Sequence, residues 1–161
     1  MHKLGKGGII RLERGTARKQ LVLSGGRVAY AESNVPEDHL ARVLVRMSYL
    51  DRKDITQVTV LMKSGQPSDE AIAAATELTR QQIEEGAREQ VGGILASMLT
   101  WPGIDPRLYA REGLPGRSLD LQMPVPELVA RAARYAAADP ATARALPEVQ
   151  GVVSAGCEAL L

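Results

Sequence analysis

The stretch Leu21-Val22-Leu23-Ser24-Gly25-Gly26-Arg27-Val28-Ala29-Tyr30-Ala31-Glu32-Ser33-Asn34-Val35-Pro36-Glu37-Asp38-His39-Leu40 decides the fold class. Within it the apolar period changes from two residues to about 3.6. Before Asn34 the pattern is that of a β-hairpin. Gly25-Gly26 supplies the positive φ angles that a two-residue primed turn requires. With those glycines at the tip, Leu23 is expected opposite Val28, and Leu21 opposite Tyr30. All four then share the core face, with the small Ala29 and Ala31 turned to the other side. Upstream, Gly8-Ile9-Ile10-Arg11-Leu12-Glu13 reads as another strand, closed by Arg14-Gly15-Thr16.

Downstream, Leu40, Val43, Leu44 and Met47 form an apolar stripe on one helix, with Pro36, Glu37 and Asp38 suited to its first turn. Asp51 is expected to cap a second helix with Ile55, Val58, Leu61 and Met62 inward. Ser68 is expected to cap a short third helix carrying Ile72. Thr79 and Gln82 have capping-box spacing and open the longest helix, Arg80 to Thr100, with Ile83, Ala87, Val91, Ile94, Leu95, Met98 and Leu99 inward. Leu108-Tyr109-Ala110 and Leu119-Asp120-Leu121-Gln122 read as two further strands. A last helix, from Glu127 to Ala138, has Leu128, Val129, Ala132 and Ala133 inside. The fold expected is α+β, a small antiparallel sheet of hairpins packed with a bundle of four to five helices.

The chain has 161 residues, 45% hydrophobic and 24% charged, the proportions of a soluble globular domain. One domain is expected over 1–139. The apolar periodicity running to Ala159-Leu160-Leu161 reads as the start of a further, truncated helical region over 140–161. The single cysteine, Cys157, excludes a disulfide framework and a multi-cysteine zinc site. No apolar run reaches the roughly 18 residues of a membrane helix. No apolar segment follows the basic Met1-His2-Lys3-Leu4-Gly5-Lys6, so a secretory signal is not expected and the location expected is cytoplasmic.

No residue is assigned a catalytic, cofactor-binding or metal-binding role. Gly5-Lys6-Gly7-Gly8 precedes a strand, whereas phosphate loops follow a strand and open a helix. The acid pairs Glu37-Asp38, Asp51 with Asp54, Asp69-Glu70 and Glu84-Glu85 lie in helix first turns or on polar faces, where capping and solvation explain them. Cys157 has no nearby histidine, His39 has only His2 as a possible co-ligand, and no G-x-S-x-G elbow occurs.

Charge is distributed unevenly. Residues 1–31 carry a net +6, through Lys3, Lys6, Arg11, Arg14, Arg18, Lys19 and Arg27 against Glu13. Residues 68–90 carry a net −4, with Asp69, Glu70, Glu77, Glu84, Glu85 and Glu89 against Arg80 and Arg88. A solvated edge sheet and a solvated helix face account for both. Two interaction readings stand beside that one. An acidic helical face near a basic sheet suits a protein adaptor, pairing with a charged partner or with a second copy. Alternatively, helices over 38–47 and 52–62 beside a hairpin sketch a winged helix-turn-helix. This nucleic-acid reading requires the basic residues of 1–31 and of the second helix to share a face.

The stretch quoted first resembles the PATAN domain, found at the N-terminus of PatA-type bacterial response regulators. Gly26-Arg27-Val28-Ala29-Tyr30-Ala31-Glu32-Ser33-Asn34 is similar to its G-x-[IV]-x-x-A-x-S-N motif, and Asp38-His39-Leu40 to its D-x-L. The likeness continues through Lys63-Ser64-Gly65-Gln66-Pro67-Ser68-Asp69-Glu70-Ala71, Leu99-Thr100-Trp101-Pro102-Gly103 and Met123-Pro124-Val125-Pro126-Glu127-Leu128-Val129, spanning about residues 4–139 in order. Members usually begin with a further strand and helix. The resemblance implies a non-enzymatic module of two-component signalling that binds a receiver-domain or other signalling or motility protein. It carries over no catalytic residue; Gly26, Ala31 and Ser33 match the motif, and turn geometry and packing explain them.

Overall fold

The computed structural model describes residues 6–101, 107–112 and 119–136, together with 147 and 151. The expected region over 140–161, with Cys157, lies almost wholly outside the described residues, as do residues 1–5, 102–106 and 113–118. The fold is α+β. Strands β1 (Lys6–Arg14), β2 (Ala17–Ser24) and β3 (Arg27–Ser33) form an antiparallel meander, and β4 (Arg107–Glu112) pairs with the free edge of β1, giving the order β3-β2-β1-β4. A 3-10 turn (Pro36–Asp38) leads to α1 (Leu40–Arg46), α2 (Asp54–Lys63), α3 (Ser68–Ala75), α4 (Arg80–Leu99) and, after β4, α5 (Val125–Ala136).

Both turn glycines have positive φ, +57° at Gly25 and +76° at Gly26, as a primed hairpin demands. Leu23 lies opposite Val28, but the expected pairing of Leu21 with Tyr30 is displaced by one residue. The register shifts at Val22/Leu23, so Leu21 faces Ala31 and Val22 faces Tyr30. The cause is a β-bulge at Val28-Ala29, which exchanges the two faces of the rest of β3. Ala31 therefore joins the main core with Leu21, Leu23, Leu40 and Leu44. Tyr30 sits with Ile9, Val22 and Ala29 in a second buried cluster on the opposite face.

The segment 119–122 is not a strand. It runs along the outer edge of β3, where Leu121 N–H donates to Ala29 C=O (2.8 Å) and Val28 exchanges two bonds with Met123 (2.9 Å each). The bulge turns the Ala29 carbonyl outward, and this segment takes it.

All seven inward residues expected on α4 are buried, and Thr79 with Gln82 forms a complete capping box. Two other caps differ. Helix α2 begins at Asp54, after Lys53 at the N-cap, with no side-chain cap; the Asp54 carboxylate accepts the Asp51 N–H (3.0 Å), and Asp51 does not cap the helix. Ser68 lies inside α3, after Pro67, with no side-chain cap. The residues Pro36, Glu37 and Asp38 form their own turn, and extended His39 separates it from α1. On α5, Leu128 and Ala132 are buried, Val129 is half-buried, and Ala133 is exposed.

Candidate interaction surface

Lys19, on the core side of β2, is 4% exposed. Its ammonium lies 2.8 Å from Asp38 Oδ2, donates to Ser97 Oγ, and sits 5.3 Å from the centre of the Trp101 ring. Ser33 donates to the same Asp38 oxygen and accepts the Val35 N–H, while Gln90 donates to the Asp38 carbonyl. Asn34 continues the pairing: its N–H donates to Arg18 C=O, its Oδ1 accepts the Arg18 N–H, and its amide donates to Thr16 C=O. A buried charge is tolerated only when paired and hydrogen-bonded, and this cluster satisfies that condition while tying β2, β3 and the 3-10 turn to α4. It places Ser33, Asn34 and Asp38 of the motif in a structural node. Ala31 fills core, and Gly26 completes the turn.

Helix α5 meets part of the acidity of residues 68–90, pairing two of the six acids of that run. Arg131 bonds Glu85 (3.0 Å), Glu89 (2.5 Å) and Glu127 (3.1 Å); Arg134 bonds Glu89, and Arg88 bonds Glu127. Burial alone would lower the Arg131 pKa, but its bonds to Glu85, Glu127 and Glu89 and the charge of Glu85 outweigh that, and the value is raised. Asp69 is buried, leaving Glu70 and Glu77 as the fully exposed acids of this run.

The basic residues of 1–31 whose side chains are described are split between the two sheet faces, the register putting Arg11, Arg18 and Arg27 on the face away from Lys19. Lys19 is enclosed. Arg11 lies over the Tyr109 ring (5.0 Å) on the sheet face away from Lys19, and Arg27 donates to Gln122 C=O at the β2–β3 turn. In α2, Arg52 and Lys53 precede the helix beside Asp51 and Asp54, and Lys53 pairs with Asp51. His39 is exposed just before α1. Among the described residues, no three His, Cys, Asp or Glu side chains stand close enough to hold a metal ion. No described helix is long and apolar enough to cross a membrane.

Sequence reasoning missed a groove beside α1 and α2. A cleft of about 280 Å³ opens between the ends of β2 and β3, the start of α1 and the α2–α3 connection, with Arg18, His39, Gln66 and Ser68 on its walls. A second cavity of about 120 Å³ lies between α1 and α2, bounded by Arg42, Ile55, Val58 and Thr59. The two share His39, Leu40, Met62 and Ser68, so they adjoin. Helix α2, one wall of this groove, buries only Val58 fully and leaves Val60 62% exposed. Spacing along the chain gave no signal for the groove, since its walls come from strands and helices far apart in sequence, from Arg18 on β2 to Gln90 on α4.

No family model, curated protein or solved structure matches this chain.

Proposed function

We propose that the chain is a non-enzymatic adaptor of a bacterial signalling protein, binding another protein through the α1–α2–α3 side. One observation carries the reading: α2 is a two-and-a-half-turn helix with a single buried side chain beside an open groove, so much of its surface does no work in the core. The resemblance to the PATAN domain supports a receiver-domain or motility protein as partner, acting in the cytoplasm. A second copy of the chain is the other protein partner compatible with this reading. A nucleic-acid-binding regulator is the alternative, and the dispersal of Lys19, Arg11 and Arg27 to three different environments weighs against it.

Affinity capture with the chain as bait, after nuclease treatment and a moderate-salt wash, separates these readings. The adaptor reading expects a protein that survives nuclease and cross-links to α1–α3. Recovery of nucleic acid, or of proteins lost on nuclease treatment, would replace it with the alternative.

A further inference from the structure

We propose that the groove along α1 takes an acidic segment of a partner protein, with one aliphatic side chain as its anchor; this rests on the adaptor reading and specifies its ligand. The first ground is how the arginines are used. Arg11, Arg27, Arg46, Arg80, Arg88, Arg131 and Arg134 each donate a side-chain hydrogen bond within the fold. Four exposed arginines, Arg14, Arg18, Arg42 and Arg52, make no ion pair or side-chain hydrogen bond among the described residues, and two of them, Arg18 and Arg42, stand on the groove, one at each cavity. His39 lies on the wall common to the two cavities. The carboxylate on these walls, Glu32, is engaged by the Gln20 amide. The groove is therefore flanked by cations without internal counter-ions, and a guanidinium matches a carboxylate through two parallel hydrogen bonds.

The second ground is the floor. Leu40 and Val58 are buried, Ile55 and Met62 half-buried, and together they give the smaller cavity an apolar base. An apolar cavity of about 150 Å³ holds a benzene ring, so the 120 Å³ here has room for a branched aliphatic side chain. Met62, unbranched and shared by both cavities, can adjust to its shape. Carboxylates reaching Arg18 and Arg42, with Leu or Ile between them over Met62, satisfy rim and floor at once. Such a segment is steered by charge, so its binding weakens with salt.

Selection of short random displayed peptides on the full chain tests this, with Arg18→Glu/Arg42→Glu and Met62→Asp as comparison proteins, each checked for wild-type thermal unfolding. The Arg18 and Arg42 side chains are exposed and make no ion pair or side-chain hydrogen bond among the described residues, so the double variant is expected to keep its fold. The proposal expects selected peptides with Asp or Glu flanking Leu, Ile or Met. Their affinity should fall at least about tenfold, or about 1.4 kcal/mol, on the double variant and fall on the Met62 variant. Peptides without acids, peptides binding the double variant equally well, or no selected peptide would overturn it. If the double variant still captures the wild-type protein partner, the groove assignment falls and the adaptor reading stands. If the wild-type chain captures no protein, the adaptor reading falls and takes this proposal with it.

Discussion

The seam between α4 and α5 and the body of α2 are held by different means. At the seam, Gly92 brings the backbones so close that a Cβ there would meet Arg131 Cβ at 2.8 Å. That closeness lets one guanidinium reach Glu85 and Glu89 on α4 and Glu127 on its own helix. Helix α2 has one fully buried anchor, Val58, and half-buried Ile55, Leu61 and Met62 along its inner side. The seam is specified by both shape and charge, and neither tolerates displacement. Helix α2 rests, apart from Val58, on partly buried aliphatic contacts with no ion pair to fix them. Elements that bind partners are drawn from the less stable end of a structure, which is where α2 stands.

Three substitutions probe this contrast. Arg131→Met should cost the most, about 3 kcal/mol, because it leaves Glu85, Glu89 and Glu127 facing one another without their common cation. Urea unfolding measures it, and a loss under about 1 kcal/mol would make the seam a surface charge cluster of the ordinary weak kind.

Tyr135→Phe has a smaller effect, whose pH dependence is confined to the alkaline range. Burial, then the charge and hydrogen bond of Glu89, raise the Tyr135 pKa above its ordinary value of 10.0. Between those two values the folded chain keeps a proton that the unfolded chain has lost. The stabilisation is therefore complete below 10.0 and disappears as pH rises through the folded value. Urea midpoints on either side of that pH should fall more steeply for the wild type than for the phenylalanine variant. Parallel slopes would show that the contact with Glu89 does not favour the protonated hydroxyl.

Val60→Asp should change stability least, within about 0.5 kcal/mol, since Val60 is 62% exposed on the outer side of α2. A larger loss would mean that α2 is packed as firmly as α5, and the contrast would disappear.

The helices were legible because each carries an aliphatic stripe whose spacing alone reveals its inner face, as Leu40, Val43 and Leu44 do on α1. The hairpin turn was legible for the same local reason, through Gly25-Gly26. The register beyond it was not, since a bulge adds one residue that composition does not mark, and Tyr30 and Ala31 exchange faces because of it. The acidic run was misleading in a different way. Counting charge along 68–90 includes Glu85 and Glu89 but omits Arg131 and Arg134, which lie on another helix more than a turn of sequence away and directly across in space. The groove escaped notice for that reason too, as Arg18 and Arg42 acquire meaning only when β2 and α1 are seen together.

The sheet also sets an order of events during synthesis. The three-stranded meander leaves the ribosome ahead of the helices and β4, with the outer edges of β1 and β3 both open. Lys6 waits for Glu112, and Val28 waits for Met123, so each edge stays uncovered until all four intervening helices have been made. Pairings this distant in sequence form slowly, and open strand edges invite association with other chains. The nascent chain is thus most exposed to misassociation at the moment it already holds a nearly complete hairpin, and a chaperone that shields extended edges would act on that half-made sheet.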